Sequence, residues 1–189
     1  MTDIKILSLN VASRNDLAGL LQIIDIKKPE ICFLQEVTMN TEELKSIVEV
    51  KGFTGEANID VTNVKKPGTA FVWKQGLKLS EVFSVIQNRG QSMKFGGQIF
   101  LNIYAPSGGG VKRQERREFF WGEVFRLIRS LGNTIPMMVG DFNSVLSPLD
   151  CEERFVEKKC PALQDLVTGF NYVDAFRHLH PGAREYTFL

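Results

Sequence analysis

The chain has 189 residues, 43% of them hydrophobic, and its 23 basic and 22 acidic residues leave a net charge of +1. This length suits one globular domain, and we predict a single domain over residues 1–189. The balanced charge excludes a uniformly basic nucleic-acid-binding protein, so any such contact must come from a local patch. No apolar run approaches the roughly 18 residues of a membrane span, so we expect no membrane partner. Three cysteines without zinc-ligand spacing predict free thiols in an intracellular compartment.

The first forty residues predict a strand–helix–strand unit. Residues 4–10 alternate as a strand does, with Asn10 at the C-terminal end. Apolar residues then recur at helical spacing over 17–24. Residues 31–36 form a continuous apolar strand that ends in Gln-Glu. A unit of this kind predicts two parallel neighbouring strands joined by a right-handed crossover.

The middle of the chain predicts one helix followed by short strands. Thr41 can cap a helix that Gly52 ends. Beyond Phe53 the pattern changes to short strands with glycines at the turns, and residues 58–66 are predicted to be an exposed loop. The predicted strands are 68–74, 77–87 and 91–103.

The last part predicts a long helix, a buried strand and shorter elements. A helix is predicted at 112–131, and its buried stripe consists of Phe120, Val124, Leu127, Ile128 and Leu131. The elements predicted after it are a strand from 137, a loop at 144–160, a helix at 163–170, a short strand or turn at 172–176 and a strand from 185. The basic start of the long helix, Lys112 to Arg117, could hold DNA phosphates, but it is interpreted as a solvated helix start, because Glu115 and Glu118 dilute its charge. The whole order fits a four-layer α/β sandwich, in which two packed mixed β-sheets are flanked by helices, better than one doubly wound sheet.

Polar side chains end several of the apolar strands: Asn10, Glu36, Tyr104, Asp141 and Asn143. Ligands collect outside the carboxyl ends of strands, so these residues predict one shared cleft. In the run from Met137, Gly140 permits a sharp turn, and alternation puts Asp141 and Asn143 on the same side. Two acids and three neutral groups suit one hard divalent cation with a phosphate better than a two-metal cage.

Each of these residues also has an ordinary structural interpretation. Asn10 and Asn143 are good turn formers, Glu36 at a strand end is commonly a solvated acid, and Tyr104 before Ala-Pro is commonly a packed aromatic. Asp141 is the hardest to explain in this way, because Gly-Asp-Phe-Asn exposes an acid at the end of a buried strand. His178 and His180 are interpreted as structural, since neither has metal-ligand spacing to a partner.

Five short segments occur in order along the chain: Ser8-Leu9-Asn10, Leu34-Gln35-Glu36, Asn102-Ile103-Tyr104-Ala105-Pro106, Gly140-Asp141-Phe142-Asn143 and Tyr186-Thr187-Phe188. Together they resemble the endonuclease/exonuclease/phosphatase family. Arg116-Arg117-x-Phe119-Phe120 and the segment 174–181 are most similar to the apurinic-like endonuclease domain of LINE-type (non-LTR) retrotransposons. Each segment is weak evidence by itself, and the ordered set is strong.

The resemblance implies a DNase I-like fold and metal-dependent cleavage of phosphate esters, with Mg²⁺ as the ion and Mn²⁺ as a substitute. Glu36 is implied to bind the metal, with Asn10 close to it. Asp141 is implied to align or deprotonate the attacking water. A metal and pre-aimed donors of this kind together stabilise the charge that develops on phosphorus.

The same resemblance implies three contacts with the substrate. Tyr104 is implied to contact the scissile phosphate, Asn143 to hold that phosphate and its developing charge, and Thr187 to lie at the rim of the cleft. The implied catalytic set is therefore Asn10, Glu36, Tyr104, Asp141 and Asn143.

The implied substrate is double-stranded DNA, nicked in one strand to leave a 3′-hydroxyl for target-primed reverse transcription. A covalently linked reverse transcriptase in the parent polyprotein, a nuclear location and a monomeric isolated domain follow from the same resemblance. Two alternatives stay open. One is a phosphomonoesterase or phosphodiesterase of the same fold with a small or lipid substrate, and the other is a catalytically crippled DNA-binding module.

One departure from the family pattern concerns the end of the chain. The family continues beyond the Tyr-Thr-Phe strand to a Ser-Asp-His triplet, whose histidine contacts the scissile phosphate. His178 and His180 do not match that position, and Leu189 ends within a predicted strand. We therefore expect the sequence to be truncated at its C-terminus.

We predict that residues 1–189 alone are inactive or cleave DNA roughly 10²–10⁴-fold more slowly than the chain extended by its natural continuation, because proton transfer or charge neutralisation by the missing histidine is lost. Nicking of a supercoiled plasmid by the two proteins side by side measures this ratio. Equal and robust cleavage by both would contradict the assignment of the missing histidine.

Overall fold

A computed structural model describes residues 3–12, 17–60, 62–63, 66–108, 110–151 and 159–185. The strands are β1 (Ile6–Asn10), β2 (Ile31–Val37), β3 (Phe53–Asn58), β4 (Gly68–Lys74), β5 (Ser80–Ile86), β6 (Gly90–Phe95), β7 (Gln98–Tyr104) and β8 (Met137–Asp141). The helices are α1 (Leu17–Lys27), α2 (Thr41–Val48), α3 (Val111–Ser130), α4 (Pro161–Gly169) and α5 (Ala175–Leu179). None of the helices in these ranges is long and apolar enough to cross a membrane.

The chain divides into two compact units. The first contains the described residues of Met1–Tyr104 and Pro136–Asp141, and the second those of Ala105–Ile135 and Phe142–Leu189. All eight strands belong to the first unit, and α3, α4 and α5 belong to the second.

The first unit is built on two four-stranded sheets, with strand orders β1-β2-β4-β3 and β5-β6-β7-β8. Each sheet is mixed: β1 runs parallel to β2 and β7 parallel to β8, whereas the other neighbours are antiparallel. This confirms the two mixed sheets and the parallel strand–helix–strand unit predicted from the sequence. Residues of the predicted site lie at or near the C-terminal ends of both parallel pairs. In each pair the parallel direction places these two ends side by side.

The sequence of strand β2 is a continuous apolar run because this strand is buried on both faces. Cys32 and Leu34 belong to a core shared with residues of α1 and α2, while Ile31 and Phe33 belong to the core between the two sheets. In that second core the Phe33 ring meets Phe71 edge-on, with centroids 5.2 Å apart. Alternate side chains of one strand thus join the helices to one face and the second sheet to the other.

The second unit is organised by α3, close to the predicted bounds of 112–131. Its buried residues are Arg117, Phe120, Trp121, Val124 and Ile128. The predicted stripe was therefore correct at three positions, but Leu127 and Leu131 are only partly buried. Trp121 is buried although it was not in the predicted stripe, and the interpretation of the whole basic segment as solvated is wrong, because Arg117 is 3% exposed.

The start of α4 rests on a side chain of α3. The Glu118 carboxylate accepts a hydrogen bond from the Ala162 backbone nitrogen at 2.9 Å, in the first turn of α4. An acid there satisfies a backbone donor of the helix end and complements the helix dipole. The Phe125 and Phe170 rings also pack together, with centroids 4.9 Å apart.

Some element boundaries were predicted incorrectly. The cap of α2 is Asn40, which forms a capping box with Glu43, whereas the Thr41 hydroxyl accepts from the Ala57 backbone nitrogen. The predicted strand 91–103 is a hairpin of β6 and β7, because Gly96 and Gly97 both take positive φ and form its turn. Strand β3 was not predicted, since its Thr-Gly-Glu-Ala interior carries little β signal.

Three further predictions concern loops. Residues 58–66 are not simply an exposed loop, because Asn58 and Asp60 are buried and hydrogen-bonded. Residues 175–179 form a helix with Asp174 as its cap, where a short strand or turn was predicted. The predicted strand from 185 falls almost entirely outside the described residues. The free thiols are confirmed, as Cys32, Cys151 and Cys160 are all buried and unbridged.

Replacing Gly140 by Ala should destabilise the chain strongly, by roughly 3 kcal/mol or more. Gly140 has a φ of 138°, and an added Cβ would overlap the backbone carbonyl oxygen of Ile103 on β7. Gly122→Ala on α3 is the matched control, because a Cβ there meets nothing within 4 Å. That substitution should stabilise the chain by about 0.5–1 kcal/mol through helix propensity. Urea unfolding curves of both variants measure the difference, and equal midpoints would contradict the predicted clash.

Candidate active site

Four of the predicted site residues converge at one end of the two sheets in the first unit. Asn10 ends β1, Glu36 lies near the end of β2, and Tyr104 and Asp141 end β7 and β8. Tyr104 and Asp141 are direct neighbours in the parallel pairing of β7 and β8. The polar strand ends therefore meet, as the sequence predicted.

The Asn10 side chain joins the two acids. Its amide nitrogen donates to Oε1 of Glu36 at 3.1 Å and to Oδ2 of Asp141 at 2.7 Å. Its amide oxygen accepts from the Ala12 backbone nitrogen at 2.8 Å, which directs the nitrogen toward the carboxylates. Two acids 105 positions apart in sequence thus share one donor, and the donor offsets part of their mutual repulsion.

Tyr104 completes the cluster from β7. Its hydroxyl donates to Oε1 of Glu36 at 3.3 Å, and the residue is 4% exposed. Burial, with the neighbouring Glu36 charge as a second cause, raises the pKa of the phenol above its usual value. The hydroxyl therefore keeps its proton to a higher pH than an ordinary tyrosine does.

Glu36 reaches this position through an irregular backbone. Its φ is 60°, and the pairing of β2 with β4 shifts register between Gln35 and Val37, which marks a β-bulge. Left-handed backbone in a residue other than Gly is uncommon, and it concentrates at sites where a side chain must be re-aimed. No residue type in Leu-Gln-Glu-Val signals the bulge, so sequence analysis could not find it.

A buried amide network lies directly beside the acids in sequence. The Gln35 amide nitrogen donates to Oδ1 of Asn102 at 2.8 Å, between the two sheets. The Asn102 nitrogen donates in turn to the carbonyls of Leu34 and Ala70, both at 3.0 Å. Gln35 is 1% and Asn102 0% exposed, so these bonds are made in a desolvated interior and fix the two sheets relative to each other.

Arg89 is a functional candidate that sequence analysis missed. Its guanidinium carbon lies 4.3 Å from the centre of the Tyr104 ring, and its Nη1 donates to the Tyr104 carbonyl at 3.4 Å. The turn that carries Arg89 is held by Asn58, whose amide donates to the carbonyls of Ile86 and Gly90. A cation stacked on the tyrosine ring adds positive charge beside Tyr104. Only the hairpin pairing brings Arg89 to Tyr104, so no local signal could have found it.

Asn143 lies in the second unit. Its backbone has a φ of 45°, its amide nitrogen donates to the Ala105 carbonyl at 2.8 Å, and its own carbonyl accepts from Arg117 at 3.2 Å. Its predicted role in holding phosphate stays a prediction. Thr187, the predicted rim residue, lies outside the described residues.

His178 and His180 are exposed, and the His180 ring packs beside Phe176 with centroids 5.1 Å apart. Among the described residues no group of three or more His, Cys, Asp and Glu side chains is arranged to hold a metal ion. A cage built wholly of such ligands is therefore not found in that part of the chain. Mg²⁺, however, commonly takes one or two carboxylates and leaves the other positions to water and phosphate. The neighbouring Glu36 and Asp141 oxygens fit that requirement.

Comparison with known proteins found no matching family model. Over 97% of its length the chain is 26% identical to a DNA-(apurinic or apyrimidinic site) endonuclease of Dictyostelium discoideum. Over 89% it is 24% identical to Recombination repair protein 1 of Drosophila melanogaster. The chain spans 56% of the first relative and 27% of the second.

Solved structures match the fold over nearly the whole chain. An AP endonuclease from Archaeoglobus fulgidus superposes with a TM-score of 0.78 and 18% identity, covering 99% of this chain and 78% of that one. The NExo 3′ phosphatase from Neisseria, bound to a product DNA hairpin, gives 0.77 at 17% identity, with coverages of 95% and 76%. The predicted DNase I-like α/β sandwich, with two mixed sheets flanked by helices, is thereby confirmed.

The neighbours of Tyr104 should move its pKa in opposite directions. Glu36→Gln removes a negative charge and should lower the pKa, whereas Arg89→Met removes a positive charge and should raise it. Because the folded chain keeps the phenolic proton to higher pH than the unfolded chain, stability from this group is complete below pH of about 10 and decreases as pH rises further. Carbon-13 NMR titration of labelled tyrosines, assigned with Tyr104→Phe, measures both shifts. Movement in the same direction in both variants would contradict the arrangement.

Proposed function

We propose that the chain is a metal-dependent endonuclease domain that nicks one strand of duplex DNA and leaves a 3′-hydroxyl. The observation that carries the proposal is the convergence of Glu36 and Asp141 on the Asn10 amide, beside the Tyr104 hydroxyl. Two acids at the carboxyl ends of strands, with neutral donors around them, suit the hydrolysis of a phosphodiester through one divalent cation.

Glu36 and Asn10 would hold the metal, with Mg²⁺ as the ion and Mn²⁺ as a substitute. When bound, the ion supplies positive charge that polarises the phosphate and offsets the charge of the transition state. The Glu36 bulge and the Asn10 hydrogen bonds hold the Glu36 carboxylate and the Asn10 amide in position before any ligand arrives. Preorganised donors of this kind need little rearrangement during the reaction.

Asp141 would orient the attacking water and accept its proton, since its carboxylate is fixed by Asn10 on the neighbouring sheet. Tyr104 would donate a hydrogen bond from its hydroxyl to a phosphate oxygen, because a tyrosine phenol carries its proton at neutral pH. Arg89, stacked on the Tyr104 ring, would attract the substrate phosphate to the same point. Asn143 would hold the phosphate, and Thr187 would lie at the rim of the cleft.

DNA is the proposed substrate because the relatives in Dictyostelium and Drosophila are, by name, a DNA endonuclease and a recombination repair protein. The finer role is target-primed reverse transcription by a non-LTR retrotransposon. It is supported by the Arg116-Arg117-x-Phe119-Phe120 and 174–181 segments, which resemble that group. A linked reverse transcriptase, a nuclear location and a monomeric domain belong to the same proposal.

A second candidate function is removal of a 3′ phosphate from DNA. It is favoured by the fold match to the Neisseria NExo 3′ phosphatase, at a TM-score of 0.77. The same cluster could serve both reactions, because each replaces a phosphate ester oxygen with water. Three substrates separate the possibilities: an intact supercoiled plasmid, a duplex with one abasic site and a nicked duplex that ends in a 3′ phosphate. Binding without turnover on all three would instead indicate the non-catalytic DNA-binding module.

Glu36→Gln should lower the metal-dependent nicking rate by roughly 10²-fold or more, because the ion loses its main protein ligand. Glu42→Gln, an exposed acid on α2, is the matched control and should nick at the wild-type rate. Mn²⁺ binding measured by electron paramagnetic resonance gives a second readout that does not depend on turnover. Unchanged nicking and unchanged Mn²⁺ affinity in Glu36→Gln would rule out the proposed metal role.

A further inference from the structure

We propose that Arg117 on α3 is a positioning residue, which acts through Asn143 and does not itself contact the substrate. The inference rests on the proposed function, in which Asn143 holds the reacting phosphate. Arg117 donates from Nη1 to the Asn143 backbone carbonyl at 3.2 Å. The sequence does not distinguish Arg117 from the basic residues next to it. Only its burial in the second unit does so.

The burial of Arg117 sets it apart from the other basic residues at the start of α3. Arg117 is 3% exposed, whereas Lys112, Arg113 and Arg116 are all exposed. A buried guanidinium is costly unless its donors find acceptors, and removing such a partner from a buried contact is more damaging than removing a surface charge. The Asn143 carbonyl supplies one such acceptor. Because the Arg117 guanidinium is buried and has little freedom to move, this hydrogen bond restrains the position of the carbonyl.

The backbone at Asn143 needs restraint. Its φ of 45° lies in the left-handed region, which Asn tolerates better than most residues but which still costs free energy. The Asn143 amide nitrogen also donates to the Ala105 carbonyl at 2.8 Å. One contact therefore fixes the main-chain carbonyl and another fixes the side-chain amide, so the residue is held at both ends.

A second residue of α3 fixes the same turn one residue earlier. The Trp121 ring meets the Phe142 ring edge-on, with centroids 5.3 Å apart and an interplanar angle of 81°. Arg117 and Trp121 are four residues apart and so lie on the same face of the helix. Together they form a two-point clamp, in which the indole holds Phe142 and the guanidinium holds the carbonyl of Asn143.

This clamp predicts a particular kinetic effect. If Asn143 stabilises charge that develops only in the transition state, its displacement lowers kcat more than it raises KM. A displacement near 1 Å can cost roughly 10²-fold in rate. Loss of the Arg117 contact should therefore appear mainly in kcat, although Arg117 never meets the DNA.

The test compares Arg117→Met and Arg117→Lys with Arg126→Met, an exposed arginine on the same helix as the matched control. In plasmid nicking, Arg117→Met is expected to lose about 10- to 100-fold in kcat with KM within about threefold. Arg117→Lys should recover part of the loss, since an ammonium can still donate to the carbonyl. The control should keep both constants. An unchanged kcat in Arg117→Met, or a loss carried by KM alone, would overturn the proposal.

Two further measurements separate positioning from a general loss of structure. Asn143→Ala should cost less in the Arg117→Lys background than in the wild-type chain, because part of the Asn143 contribution is already lost when the arginine is replaced. Additive losses would overturn the proposal. The side-chain amide resonance of Asn143 should also shift in Arg117→Lys and not in Arg126→Met, which gives a readout even if Arg117→Met fails to fold. Failure of the wild-type chain with its natural continuation to nick DNA would refute the proposed function, whereas an unmoved Asn143 resonance would separately refute the clamp.

Discussion

The interaction on which the candidate site depends is the shared hydrogen bonding of one amide to two carboxylates. Asn10 donates to Glu36 at 3.1 Å and to Asp141 at 2.7 Å, and it thereby links the ends of β1 and β2 with the end of β8 in the opposite sheet. Two carboxylates left side by side without such a donor repel each other. The amide offsets part of that repulsion and holds both carboxylates close together.

The rest of the first unit maintains that adjacency. The Gln35–Asn102 pair and its hydrogen bonds to main-chain carbonyls fix the position of one sheet relative to the other. In this buried interior an unpaired amide would cost about 1–3 kcal/mol. Gly140 lets β8 approach the Ile103 carbonyl closely, just before Asp141. Arg89 places its positive charge over the Tyr104 ring, and burial raises the pKa of the Tyr104 phenol. Fold stability and site geometry are thus supplied by the same residues.

The second unit presents a comparable arrangement around Asn143. Its helix α3 offers one face to the turn, with Trp121 against Phe142 and Arg117 on the Asn143 carbonyl. Both residues are fully buried, so this face is part of the core of the unit as well as a support for the turn. The left-handed backbone of Asn143 is unfavourable by itself, so contacts with the surrounding structure must stabilise it. The buried face of α3 supplies such contacts.

The sequence by itself determined the apolar strands, the long helix and the polar residues at the strand ends, because side-chain alternation and helical periodicity are local properties that burial imprints on short segments. The ordered segments around Asn10, Glu36, Tyr104 and Asp141 were enough to predict a sandwich with one polar cleft. Only the tertiary structure decided that one amide serves both acids, that Glu36 sits on a bulge, and that Arg89 covers Tyr104. It also separated buried Arg117 from exposed Arg116, two identical neighbours in sequence. These features depend on contacts between residues from 15 to 131 positions apart, for which neither spacing nor residue type carries a local signal.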